Sequence, residues 1–207
     1  MYFFSADFGD SQFGVQGDYQ FRFWDAGGDL EQILLRTGLT YVPKNTNLKF
    51  TLGYGNITSG TPGDSDETSN ESRIYQELLM PTKVGERFYF LHRFRYEQRW
   101  VADQDFRTRY RYNLFLNVPL NQKQMGKGAI HLALYNELFV NGEREIGETV
   151  INGEPTTRTV ELFDRNRTYI GLGYGLFNNG RVQLGWMRQT TDNWAKNQAQ
   201  VSLHQSF

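Results

Sequence analysis

The chain has 207 residues, a formal net charge of −1, 39% apolar and 15% aromatic residues, and no cysteine. The near-neutral charge leaves no electrostatic footprint for nucleic acid, and the lack of cysteine excludes disulfides, thiolate metal sites and thiol nucleophiles. No stretch approaches the ~20 consecutive apolar residues of a transmembrane helix, so any membrane crossing has to be made by strands.

Residues 1–12 admit two readings: part of an additional strand over Tyr2 to Phe8, or a segment tucked inside or under the rest. Ten alternating segments follow, at 13–24, 30–42, 47–57, 72–80, 86–101, 106–119, 128–141, 164–177, 180–190 and 197–207, separated by turn signals. Soluble strands usually run to about five or six residues, whereas tilted barrel spans need about nine to eleven, which these segments match. Parity is well kept within each. In 106–119 the outward set is Thr108, Tyr110, Tyr112, Leu114, Leu116 and Val118, against inward Arg107, Arg109, Arg111, Asn113, Phe115 and Asn117. In 164–177, Thr168, Ile170, Leu172, Tyr174 and Leu176 oppose Arg165, Arg167, Tyr169, Gly171, Gly173 and Gly175. These glycines alternate as in a strand, with no helix signal after them, so a nucleotide-binding loop is not supported; small inward residues make room for bulky neighbours.

The final segment sets Ala199, Val201, Leu203, Gln205 and Phe207 against Gln200, Ser202, His204 and Ser206. A closing aromatic on a half-apolar strand looks like the signal read by the barrel-assembly machinery of the bacterial outer membrane, with Val201, Leu203 and Phe207 as its apolar positions. The fold expected is therefore a single all-β domain over 1–207, an antiparallel up-and-down transmembrane barrel. Even strand numbers in bacterial barrels favour ten strands, with twelve as the alternative if residues 1–12 and an upstream partner contribute. In an exported protein the signal peptide is taken as already removed and Met1 as an introduced start.

Counting back from a periplasmic Phe207, short turns fall at Asn178–Gly180, Leu120–Lys127, Pro81–Gly85 and Pro43–Thr46, and the two long connections, Thr58–Glu71 and Gly142–Phe163, both fall on the opposite side. That phase places Lys44, Lys83, Lys123 and Lys127 in periplasmic turns and the acidic Asp64, Asp66, Glu67, Glu143, Glu145, Glu148 and Glu154 outside. Trp24, Tyr41, Trp100, Tyr110 and Trp186 sit near span ends, where an interfacial girdle belongs.

Four runs, Asp29-Leu-Glu-Gln-Ile-Leu-Leu-Arg-Thr-Gly-Leu-Thr-Tyr41, Leu52-Gly-Tyr-Gly55, His92-Arg-Phe-Arg-Tyr-Glu-Gln-Arg99 and Phe163-Asp-Arg-Asn-Arg-Thr-Tyr-Ile-Gly-Leu-Gly-Tyr174, resemble an uncharacterised family of Gram-negative outer-membrane barrels catalogued as a domain of unknown function. The resemblance covers nearly the whole chain and implies fold and location without a reaction. The family's usual opening tryptophan is missing ahead of Tyr2-Phe3-Phe4.

The inward parity carries unusual chemistry: Arg93, Arg95, Glu97 and Arg99 on one strand, Arg107, Arg109 and Arg111 on the next, Arg165 and Arg167 on another, and Arg22, Arg36, Arg73, Glu77 and Glu137 on their own strands. Arginine stays charged, and its planar fork bonds carboxylates bidentately. A barrel of this size is narrow enough for side chains to fill. The favoured expectation is a lumen packed with Arg–Glu and Arg–Tyr contacts, with surplus charge hydrated or paired by residues such as Asp18 and Asp164. The rival is an anion-selective pore lined by positive charge.

Enzymes built on barrels of this size place a histidine at the extracellular rim. Here His92 and Glu97 face opposite sides, His131 points inward near the periplasmic end, and His204 lies in the last strand. A Ser–His–acid site is unsupported. Asp64, Asp66 and Glu67 could form a carboxylate cluster for a divalent cation, but read more simply as a polar loop. No catalytic residue, cofactor or metal is expected. The leading expectation is a non-enzymatic scaffold or accessory subunit of the outer membrane, in contact with lipid and lipopolysaccharide and associated with a larger protein complex. A small channel for anionic or polar solutes is the second, and a loop-based enzyme the third.

Overall fold

Alternation in the sequence becomes strands with one exposed and one covered face. A computed structural model describes residues 1–25, 28–63 and 65–207. Among the described residues all regular elements are strands: β1 Tyr2–Asp7, β2 Phe13–Phe23, β3 Leu30–Tyr41, β4 Lys49–Gly60, β5 Thr68–Val84, β6 Phe88–Val101, β7 Arg107–Pro119, β8 Ile130–Asn141, β9 Glu145–Ile151, β10 Glu154–Thr159, β11 Phe163–Phe177, β12 Gly180–Thr190 and β13 Ala195–Ser206. The all-β class follows from the sequence, and the ten long segments correspond to β2–β8 and β11–β13.

Eleven strands close into one barrel in the order β1-β13-β12-β11-β8-β7-β6-β5-β4-β3-β2. This corrects the expectation of ten strands, or twelve, and of an antiparallel pattern throughout. β1 is the additional strand, and it needs no upstream partner: it pairs antiparallel with β2 from Tyr2↔Tyr19 to Asp7↔Gly14 and parallel with β13 from Tyr2↔Leu203 to Ser5↔Ser206. Geometry requires the parallel pair. With an odd number of alternating strands, first and last run the same way when they meet. β1 is short, and its adjacent aromatics blur the two-residue period, so alternation alone does not mark it. Tyr2 and Phe4 share the face of Tyr19, while Phe3 stacks on His204 with centroids 4.6 Å apart.

The long connection from Gly142 to Phe163 is not a plain loop. It carries the β9–β10 ribbon, a separate two-stranded sheet turning at Asn152 and Gly153, both with positive φ. Asn-Gly between two runs of β-prone residues is the strongest local hairpin signal. The ribbon lies against the barrel through Asp105 N donating to Ile146 O and Arg158 Nη1 donating to Asp103 O, each 3.1 Å.

The turn expected at Pro81–Gly85 also shifts. β5 runs on through Pro81 to Val84 and reverses at Gly85, whose φ is 58°, with Val84 opposite Phe88. Pro81 is tolerated because the last β4–β5 pair is Lys49↔Leu79, so β5 is beyond its β4 neighbour there and a missing N–H breaks no ladder on that side. The Thr58–Glu71 connection shortens, since β4 reaches Gly60 and β5 begins at Thr68.

Register then sets inward residues in transverse rows. One runs Asp18↔Arg36↔Gly55↔Arg73↔Arg99↔Arg107, another Thr51↔Glu77↔Arg95↔Arg111↔Phe139↔Arg165, and a third Arg93↔Asn113↔Glu137↔Arg167↔Gln189↔Lys196. Directly opposed residues have Cβ atoms about 5 Å apart, close enough for long side chains to meet. Glycines supply the space: a Cβ at Gly53 would overlap the Tyr75 ring, and one at Gly173 the His131 ring.

Candidate functional site in the barrel lumen

All fourteen charged residues expected on the inward parity lie on the inward faces of their strands, and the structure shows which are joined. Glu97, on β6 and 1% exposed, accepts from Arg109 Nη2 at 2.7 Å and Arg111 Nη1 at 2.5 Å, with Arg73 and Arg95 nitrogens at 3.7 and 3.8 Å. Glu137, on β8, accepts from Arg93 Nη2 at 2.7 Å and Arg111 Nε at 2.9 Å. Glu77, on β5, accepts from Arg95 Nε at 2.7 Å and has Arg93 Nε at 3.8 Å. Arg111 and Arg93 thus bridge separate carboxylates, making one continuous network across β5 to β8.

Asp18 and Asp164 pair where the sequence placed them. Asp18 takes the Arg36 fork through Nε at 3.0 Å and Nη2 at 2.8 Å, and Asp164 takes Arg109 Nη1 at 2.9 Å and Arg165 Nη2 at 3.1 Å. Glu71 was missed: it holds both Arg73 and Arg99 through bidentate contacts. Its position two residues before Arg73, on the same parity, was the available signal, lost by starting the segment at residue 72. Three arginines stand apart. Arg22 donates to Gln20 and Gln32, Arg167 to Gln189, and Arg107 has no hydrogen-bond or ion-pair partner among the described residues. Arg181, also missed, lies inward on β12 opposite His204, with a buried Nε that lacks a hydrogen-bond partner.

Aromatic rings take some of the charge. Phe139, 1% exposed, has the guanidinium carbons of Arg111, Arg167, Arg109 and Arg165 at 4.5, 5.0, 5.2 and 5.9 Å from its centroid. Arg95 lies 4.5 Å from the Tyr75 centroid. Desolvated cation–π contacts contribute up to about 2 kcal/mol each. Beside the charged layer Tyr135 stacks on Tyr169 at 4.8 Å, packed with Met187 and Ala133. A cavity of about 560 Å³ remains in the lumen. Twelve arginines line it, against six carboxylates counting Glu97 and Asp164 behind them.

The outside is the reverse. Leu39, Leu52, Ile170, Leu172, Leu184 and Val201 are each more than half exposed, and Trp24, Tyr41, Trp100, Tyr110 and Trp186 are exposed as well. Val201 and Phe207 of the terminal signal are exposed; Leu203 is half-buried beside β1, its N–H donating to Met1 O. His92 faces outward and shares a 2.8 Å hydrogen bond with the Tyr112 hydroxyl, His131 is fully buried beside Gln183, and His204 lies against Phe3. Asp66 and Glu67 are exposed in the β4–β5 connection, and Asp64 lies outside the described residues. Among the described residues no three His, Asp or Glu side chains come together as a metal site would require. No described helix is long and apolar enough to cross a membrane, which says nothing of a β-barrel.

The chain is matched over residues 1–200 by the family model described as "Protein of unknown function (DUF2490)". It is 30% identical over 187 residues to an uncharacterised protein of Methylorubrum extorquens, covering 86% of this chain and 74% of that one. No solved structure matches.

Proposed function

We propose, from the premise that the chain belongs to the DUF2490 family, that it is an integral barrel of the bacterial outer membrane whose lumen is closed by its own charge network, and that it acts as a non-enzymatic scaffold or accessory subunit. The observation that carries this reading is the inverted distribution of polarity: a largely apolar outer face around a charged interior. A water-soluble barrel would bury the first and expose the second, whereas transmembrane barrels alternate apolar outside with polar inside. Lipid and lipopolysaccharide are then the neighbours of the belt, and the exposed Phe207 suits recognition by the assembly machinery. The histidines support no acid–base site at a rim, since each is outward on the belt, fully buried, or stacked under Phe3.

The surplus of arginine favours a second reading, a narrow anion-selective pore. Planar-bilayer recording of the purified protein separates the two. The closed lumen predicts no unitary steps in potassium chloride, together with a stoichiometric companion on gentle detergent extraction from native membranes. Reproducible anion-selective steps from a solitary barrel would replace the scaffold with the channel.

A further inference from the structure

We propose that the lumen binds a small multivalent oxyanion of the phosphate class, held between Arg22 on β2 and Arg167 on β11. Both side chains line the cavity. Their hydrogen bonds go to neutral amides: Arg22 to Gln20 at 2.8 Å and Gln32 at 3.3 Å, and Arg167 to Gln189 at 2.6 Å. Arg22 Nε is buried and lacks a hydrogen-bond partner among the described residues. The carboxylates within reach are committed elsewhere. Glu31 is held by Lys196 and Gln198, and Glu137, the cross-strand neighbour of Arg167, by Arg93 and Arg111. The two lie at the same end of the lumen: Arg167 is in register with Gln189 and Lys196, and Lys196 reaches Glu31, next to Gln32, the cross-strand partner of Arg22.

Guanidiniums that face no free carboxylate in a low-dielectric lumen are poorly compensated, and an anion between them supplies two favourable contacts. A tetrahedral oxyanion suits the pair better than a halide, because each guanidinium offers donors in a planar fork that matches two oxygens at once. The cavity, about 560 Å³, has room for the hydrated phosphoryl group and a small attached residue. The cavity is enclosed by the barrel wall and separated from the apolar belt, so the ligand is a dissolved solute rather than a lipid.

The test is a titration of the full chain in an uncharged detergent with inorganic phosphate, at ionic strength held constant with chloride, read by calorimetry and thermal unfolding. Wild type is expected to show saturable binding and a rise in Tm that chloride does not reproduce. The double variant Arg22→Gln/Arg167→Gln is expected to bind phosphate at least about tenfold more weakly, and to lose the phosphate-dependent rise in Tm. Arg181→Gln, at the opposite mouth, is expected to keep wild-type phosphate binding. Wild type without a saturable response, or a double variant that binds as wild type does, overturns the proposal. Binding is read in detergent, so this result stands apart from the conductance assay.

Discussion

Glu97 is the residue on which most of the lumen network converges, with two short ion pairs and two more guanidiniums within 4 Å. Removing one partner from a buried ionic cluster leaves the others desolvated and uncompensated, at a cost of about 3–5 kcal/mol. Glu97→Gln is therefore expected to lose about 3 kcal/mol or more in urea unfolding from detergent, whereas Glu145→Gln on the exposed ribbon should fall within about 0.5 kcal/mol of wild type. Equal losses would show that the network is not the main tie between these strands. The side-chain parity of these residues was legible in the sequence, because a period of two survives any tilt of the strand. Their pairing was only partly so. Asp18 could be named as a partner from parity, but Arg36 reaches it through a register that only the folded barrel defines, and Asp164, on the outward parity of its segment, pairs inward at the irregularity between Phe163 and Arg165. The cage of four arginines around Phe139 depends on side-chain reach across β7, β8 and β11, and sequence spacing carries no trace of it.

At the level of elements, the long strands were readable and the short ones only in part, β1 as one of two readings of residues 1–12. β2 to β8 and β11 to β13 repeat their alternation often enough to stand out, while β1 has six residues and adjacent aromatics. The ribbon carried a usable cue in Asn152-Gly153, but its flanks are mostly polar and resemble a loop by composition. Its attachment is slight, two hydrogen bonds from the rim and the burial of Ile146. Replacing residues 146–158 with a short glycine–serine linker is expected to cost no more than about 3 kcal/mol and to leave a folded barrel that still changes gel mobility on heating. A chain that no longer shows that heat-dependent shift would make the ribbon part of the folding unit rather than an appendage.

For the whole molecule the membrane reading rests on what surrounds the barrel, and one substitution tests it. Leu172 is 57% exposed near the middle of β11. In a bilayer, Leu172→Arg is expected to lose roughly 2–4 kcal/mol, the cost of placing a cation on a lipid-facing position near the midplane. An outer face bathed in water would accept the same arginine at little cost, within about 0.5 kcal/mol. Folding titrations into lipid vesicles read the difference directly.

Parallel closure also gives the molecule a history. Most barrel neighbours are joined by a hairpin or, for β8 and β11, by the ribbon, so they can pair as they emerge. The β1–β13 contact joins positions about 200 residues apart, Phe3 to His204 among them. Loop-closure entropy makes such a contact the last to form. That order implies an open sheet in which β1 rides on β2 before the far end arrives. Until it does, the facing edges of β1 and β13 both stand unpaired, with Phe207 at the end of one of them.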